Sequence, residues 1–228
     1  MTAKSISKIQ CFEQCKAKYK LTYIDNVPLT EQDHLSRGKI IHGILENFND
    51  FEVVHNFMNS DIGKKYYNII KNAEREVKVG LKVADKHLVS CDFFDPNCIF
   101  HGVIDIVNGN VLCDYKTGKA KTQEEQDWSQ LEAYALWAFI NNDYDEVHVS
   151  YLYIEHNTEN ARTIKRSEIN GIAKNILTRI SNVIKYDDAP YMEYTQSALC
   201  DYCPCNQYCE RYKLNHEYLK TLQVKNGF

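Results

Sequence analysis

The chain has 228 residues, of which 44% are hydrophobic and 25% charged; these are the proportions of an ordinary globular domain and exclude a disordered or low-complexity chain. A net charge of −4 argues against a general polyanion binder. No apolar stretch, Ala133 to Ile140 included, approaches the ~20 residues of a spanning helix, and Met1 to Ser5 lack the apolar core of a signal peptide, so a cytoplasmic protein with no membrane span is expected.

Residues 5–20 read as a short helix, with Ser5 or Ser7 as cap and Ile6, Ile9 and Phe12 facing inward. Pro28 and the polar run after it read as a loop. Residues 35–58 place Ile40, Ile41, Ile44, Leu45 and Phe48 at helical spacing, and a second helical stretch follows over 60–74. The period then drops to two: Val77, Val79, Leu81 and Val83 alternate along a strand over 76–84. Residues 98–107 are β-branched and apolar, Asn108-Gly109-Asn110 is a hairpin signal, and 111–116 is the partner strand. Residues 123–140 form a helix with Trp128, Leu131, Tyr134, Ala135 and Ala138 on one stripe. Strands follow over 146–154 and 161–165, Ser167 opens a helix running to about Lys185, and a last helical segment runs to about Leu222.

Helices, a three-strand meander, a helix and a strand pair predict an α/β (or α+β) fold, a central mixed sheet flanked by helices. No boundary splits the chain, so residues 1–228 are expected to form a single domain with its core over about 35–190; residues 1–20 and 196–228 form an appendage. Basic residues cluster in two stretches, 1–20 and 161–185, where they can neutralise phosphates or simply line solvated helix faces.

The densest chemistry lies between His101 and Tyr134. Asp105 ends one strand of the predicted hairpin and Asp114 lies near the end of its partner. Asp114 and Lys116, two apart on a strand, share a face. Two carboxylates and an ammonium can thus meet, in apolar surroundings where charges are costly unless paired or bound to metal. Mg²⁺ or Mn²⁺ suits such oxygen ligands, with the Tyr115 carbonyl as a further one. A cation there lowers the pKa of bound water, and the lysine can orient that water or neutralise transition-state charge. Glu76, at the start of the preceding strand, is a further acidic candidate.

Nine cysteines in a reducing compartment read as metal or cluster ligands rather than disulfides. Cys200, Cys203, Cys205 and Cys209 lie within ten residues, a density suited to Zn²⁺ or an iron–sulfur cluster. A local zinc knuckle is one arrangement, although Cys203 and Cys205, two apart, are awkward joint ligands of one ion. Cys91, Cys98 and Cys113 read as core or incidental residues.

Gly102-Val103-Ile104-Asp105 followed by Asp114-Tyr115-Lys116-Thr117-Gly118 resembles the PD-(D/E)XK nuclease superfamily in its RecB-like branch. Arg37-Gly38-Lys39-Ile40-Ile41-His42 looks like that branch's helical motif, Gln130-Leu131-Glu132-Ala133-Tyr134 like its Q-x-x-x-Y motif, and Ser5 to Cys15 with Tyr19 like its N-terminal signature. The resemblance covers about residues 5–210. It implies that His42, Asp105 and Asp114 bind the metal, that Lys116 acts on the water, and that Gln130 and Tyr134 hold DNA or orient the site. It also implies a [4Fe–4S] cluster on Cys15, Cys200, Cys203 and Cys209, as in AddB-like and CRISPR-adaptation nucleases; Cys11 could replace Cys15, and Zn²⁺ is the alternative. The implied protein is a metal-dependent DNA nuclease, an exonuclease on ends or single strands, with a recombination or CRISPR-adaptation protein as possible partner. The rival readings are a catalytically silent DNA-binding scaffold with a cysteine-bound cluster, and a nuclease acting on RNA. The chain has no G-x-x-x-x-G-K-[ST], so it carries no helicase motif of that type.

Overall fold

The computed structural model describes residues 3–30, 40–41, 43–45, 51–189 and 193–214. The chain divides into two compact units: Met1–Ile6 with His34–Ile180, and Ser7–Asp33 with Ser181–Phe228. Helices α1 (Ile6–Gln14) and α2 (Lys16–Tyr19) come first, α3 (Phe51–Asn59) and α4 (Asp61–Lys71) precede the strands, and α5 (Ser129–Asn141) and α6 (Ile169–Asp187) lie between and after them. Among the described residues, no helix is long and apolar enough to cross a membrane.

The first unit is built on a six-stranded sheet: β1 (Glu74–Ala84), β2 (His87–Cys91), β3 (Phe100–Asn108), β4 (Val111–Lys116), β5 (Glu146–Tyr153) and β6 (Thr158–Lys165), in the order β2-β1-β3-β4-β5-β6. All neighbours are antiparallel except β4 and β5, which run parallel from Val111↔His148 to Lys116↔Tyr153. Parallel neighbours need a crossover, and α5 is that crossover. The sheet is therefore mixed and flanked by helices, as the element order predicts. Leu45, Phe57, Ile62, Tyr66 and Ile70 pack against Ile106, Cys113, Tyr115 and Leu152 of β3, β4 and β5. Ser60 separates α3 from α4 by capping the latter: its Oγ accepts from the Gly63 amide at 3.0 Å.

Five expectations change. Strand β2 has no counterpart in the sequence reading, because its turn lacks the usual glycine: Asp85 and Lys86 both take positive φ, +49° and +66°, the signature of a two-residue type I′ turn. The helix expected over 123–140 begins only at Ser129; in the preceding turn Glu125 accepts from the amide and hydroxyl of Thr122. The single helix expected over 5–20 breaks at Cys15, whose backbone is extended (φ −161°, ψ 111°), and the chain winds on as a π-helical turn over Lys20–Ile24. The basic residues of 161–185 are partly occupied by the fold. Arg162 pairs with Glu132 at 2.9 Å, and Arg166 donates to the carbonyls of Tyr144 and Asn142, each at 2.6 Å. The strand expected over 161–165 starts earlier, at Thr158.

The second unit holds both ends of the chain. Phe12 meets Tyr19 edge-on at 5.5 Å and Tyr186 at 5.3 Å, and the Tyr19 hydroxyl donates to Asp187 at 2.8 Å. The Ala17 amide donates to the Glu193 carbonyl at 3.0 Å, the Glu193 carboxylate takes the Lys16 ammonium at 2.6 Å, and the Thr30 amide donates to the Pro204 carbonyl at 2.8 Å.

Candidate active site

The hairpin that carries the acidic pair closes on Gly109, which takes φ +56° at the first of two loop positions, the pattern of a type II′ turn. The register runs Asn108↔Val111, Val107↔Leu112, Ile106↔Cys113. The next step sets Asp105 beside Asp114. Both are buried, at 8% and 3% exposure. Asp105 Oδ2 accepts from the Tyr115 amide at 2.6 Å. Asp114 Oδ1 accepts from Gln130 Nε2 at 2.7 Å. Asp114 Oδ2 lies 2.6 Å from Lys116 Nζ, but no donor reaches it in hydrogen-bond geometry. The pair is an electrostatic contact that leaves a buried carboxylate oxygen short of a hydrogen bond.

Gln130 is the hub. Its Oε1 accepts from Lys116 Nζ at 3.0 Å while its Nε2 serves Asp114, so one amide is oriented by an ammonium on one side and a carboxylate on the other. Nε2 also lies 3.2 Å from the Tyr134 hydroxyl, which donates to the Val103 carbonyl at 2.7 Å. Gln130 and Tyr134 are four apart on α5 and therefore share a helix face. Burial, then the charge of Asp114, push the Tyr134 phenol well up, so it stays a neutral donor. Below the lysine, the Tyr151 ring centroid lies 4.9 Å from Nζ. Tyr151 is 1% exposed and stands opposite Asp114 in the parallel register, so this ring holds the ammonium by a cation–π contact. Sequence reasoning missed it, because its place follows from the β4–β5 pairing.

Burial, then repulsion from Asp114, raise the Asp105 carboxyl well above the usual carboxylate range; Glu76 pushes the same way, while the Tyr115 amide and Lys116 pull it down. Glu76 sits at φ +51°, in the left-handed region. The β1–β3 ladder runs Arg75↔Ile106 and then Val77↔Ile104, so Glu76 occupies the interrupted step opposite Asp105. A non-glycine residue held there stores roughly 1–3 kcal/mol of strain, of the kind found at functional sites. His42, the third expected metal ligand, lies outside the described residues. Among the described residues, no three His, Cys, Asp or Glu side chains form a group able to hold a metal ion.

The hydroxyl of Tyr134 approaches Val103 because its ring passes over Gly102. A Cβ on Gly102 would lie 2.6 Å from that ring, and 3.1 Å from the hydroxyl. Gly102→Ala should therefore displace Tyr134 and cost about 1–3 kcal/mol of stability. Thermal melts check this; an unchanged melt would mean the ring yields freely.

The cysteines of the second unit gather in part. Cys203 and Cys205 Sγ atoms are 3.5 Å apart. Cys11 feels the charges of Cys15 and Cys203, and Cys209 those same two. Burial raises Cys11 to about 11, whereas the hydrogen bond from Cys205 lowers Cys203 to about 6 and raises Cys205. Cys15, Cys200, Cys203 and Cys209, the expected ligand set, all lie in the second unit, but among the described residues no three of them form a group able to hold a metal ion. The Cys200 sulfur accepts from the Ser197 amide at 3.4 Å and the Tyr194 hydroxyl at 3.3 Å. Cys98 and Cys113 are buried in the first unit, and Cys91 is half-buried there.

The sequence model of the PD-(D/E)XK nuclease superfamily matches residues 3–78 and 58–210. No curated protein matches the chain. Among solved structures, one described as the crystal structure of SSO0001 is similar over 92% of this chain and 87% of that chain, at 16% identity and a TM-score of 0.45.

Proposed function

Since this chain belongs to the PD-(D/E)XK nuclease superfamily, we propose that it hydrolyses DNA phosphodiester bonds with Mg²⁺ or Mn²⁺ at Asp105, Asp114 and Lys116. The observation that carries the reading is the Asp114 carboxylate, buried and held between Gln130 and Lys116 with one oxygen lacking a hydrogen bond. Two buried carboxyls stand side by side there and Lys116 brings them a single positive charge, so a further cation would be stabilised.

The donor set fits a hard divalent cation. Asp105, Asp114 and the Tyr115 carbonyl, with His42, would hold it. When bound, such an ion supplies a water of lowered pKa and neutralises charge on the scissile phosphate. The chain's own residues do the rest. Lys116 presents its ammonium beside Asp114, where it orients the attacking water and offsets charge building on the phosphate oxygens. Gln130 ties the ammonium and the carboxylate together through the two ends of its amide. Tyr134 anchors Gln130 to the β3 backbone, and Tyr151 fixes Lys116 from beneath. Glu76 adds a third acid beside Asp105.

The finer reading is an exonuclease of RecB-like type acting on DNA ends or single strands, in recombination, repair, phage DNA metabolism or CRISPR adaptation with a protein partner. The second unit then serves as the cysteine-bearing appendage, with a [4Fe–4S] cluster on Cys15, Cys203, Cys209 and Cys200. The resemblance supports this set, and all four cysteines lie in the second unit. The test is cleavage of end-labelled single- and double-stranded DNA with Mg²⁺, Mn²⁺ or EDTA, on anaerobically purified protein, with Asp114→Ala as control. Metal-dependent cutting that the variant lacks supports the reading; no cutting by folded, cluster-loaded protein overturns it in favour of a DNA-binding scaffold, and cutting of RNA alone in favour of a ribonuclease.

The raised Asp105 carboxyl gives a stability signature. The folded metal-free protein holds a proton there that the unfolded chain releases at lower pH. Its contribution is complete below the ordinary carboxylate range and falls away as pH rises through the raised folded value. Asp105→Asn should therefore raise the metal-free Tm near neutral pH by roughly 2–8 °C, and abolish the added stability that Mg²⁺ confers on the parent. Melts across pH with Mg²⁺ or EDTA measure both; a variant melting no higher than the parent in EDTA would contradict the assigned repulsion.

A further inference from the structure

The corner after β2 exposes aromatic surface beside a cation. Phe94 is 75% exposed. The Phe93 ring stacks on His101 of β3, centroids 4.7 Å apart at 20°, and meets Phe94 edge-on at 5.0 Å and 75°. The exposed Lys78 of β1 places Nζ 5.5 Å from the Phe94 centroid and 5.9 Å from that of Phe93. The corner is also pinned. Asp92 accepts from the Phe94 amide at 2.8 Å, Asp95 accepts from the Asn97 amide at 2.8 Å, and Lys82 clamps Asp95 at 2.7 Å. A phenylalanine held out in water on a fixed loop gains nothing for the fold, since its apolar area stays wet.

We propose that Phe94, supported by Phe93, His101 and Lys78, is a stacking platform for an unpaired base of single-stranded DNA, flanking the cleavage site. The proposal rests on the nuclease reading and adds to it a strand preference and a subsite. The strands carry the argument for place. In β1 and β3, Lys78 pairs with Val103 and Gly80 with His101, and Asp105 lies further along the same strand. At about 3.3 Å per residue, His101 and Asp105 are roughly 13 Å apart, the reach of roughly two to four nucleotides. The chemistry carries the argument for the ligand. A ring offers any base a π-face, and an adjacent ammonium offers the neighbouring phosphate a counter-charge. A paired base inside a duplex is stacked on both faces and has none to give. One projecting ring with a cation is too small an apolar patch to seat a protein.

The test uses the full chain in EDTA, so that binding is read without cutting. Fluorescein-labelled oligo(dT) and a duplex closed at both ends by hairpin loops are titrated by anisotropy against the parent, Phe94→Ala and Phe94→Trp. Phe94→Ala should weaken oligo(dT) binding by roughly tenfold, the effect of losing one stacked base. It should leave duplex affinity and Tm unchanged, and Phe94→Trp should bind like the parent. Unchanged oligo(dT) affinity in Phe94→Ala, or an equal loss on both DNAs, would overturn the platform, as would a Phe94→Trp variant as weak as the alanine. The two readings fail separately. Parent protein that cuts DNA while Phe94→Ala binds normally keeps the nuclease and loses the platform; protein that never cuts, with a single-strand-specific loss in Phe94→Ala, does the reverse.

Discussion

Lys116→Ala should lower metal-dependent DNA cleavage by about 10²–10⁴-fold, the range for removing a group that stabilises charge in a transition state, while DNA binding changes little and the protein still folds, with a lower metal-free melting temperature because buried Asp114 loses its cation. The expectation follows from where the ammonium sits. It lies 2.6 Å from an Asp114 oxygen that lacks a hydrogen bond, donates to Gln130 at 3.0 Å, and rests over Tyr151 at 4.9 Å. The side chain is about one-third exposed, so its loss opens no cavity in the core. Three contacts hold one ammonium at the carboxylate pair, an expensive arrangement in side-chain entropy if it served only as a surface ion pair. Single-turnover cleavage with saturating metal, beside a binding isotherm in EDTA, separates chemistry from affinity. Undiminished cutting would remove Asp105, Asp114 and Lys116 as the site.

Cys203→Ser should strip the second unit of its proposed cluster, seen as loss of visible absorbance and bound iron, and lower the Tm by on the order of 10 °C. A cross-link between residues as far apart in sequence as Cys15 and Cys203 is worth about 4–5 kcal/mol by loop-closure entropy, and in a chain of this size each kcal/mol shifts the melt by about 2–4 °C. Cys203 is the informative position, because it belongs to the proposed ligand set and its sulfur lies 3.5 Å from that of Cys205. Cys205→Ser and Cys200→Ser, measured in parallel, identify the fourth ligand. A Cys203→Ser protein with parental colour, iron and melting temperature would refute the ligand set; zinc in place of iron would keep the set and change the cofactor.

The acidic pair was legible in the sequence because its geometry is local. Gly109 dictates a two-residue turn, the turn dictates the register, and the register sets Asp105 beside Asp114. Gln130 and Tyr134 were legible through resemblance and through helical spacing, and the structure adds the hydrogen bonds that join them to Asp114, Lys116 and Val103. Strand β2 was not legible: its I′ turn is made by Asp85 and Lys86, residues that tolerate positive φ without announcing it. Tyr151 was not legible, because its contact with Lys116 follows from a parallel pairing across α5, and nothing in a strand tyrosine names its neighbour. Cys15, Cys203 and Cys209 could be grouped from spacing and resemblance. That Cys205 sits 3.5 Å from Cys203 needed three dimensions.

The sequence by itself thus determined the class of fold, the hairpin, the acidic pair with its lysine, and the abundance of thiols. These rest on alternation, turn chemistry and residue type, which act over a few residues. Only the tertiary structure decided how buried each carboxylate is, that Asp105 titrates high, that Glu76 is held at φ +51° opposite it, and that Phe94 is held out beside Lys78. Those properties depend on which distant segments exclude water from a group and which charges they bring near it, and such sums are formed only when the chain has folded.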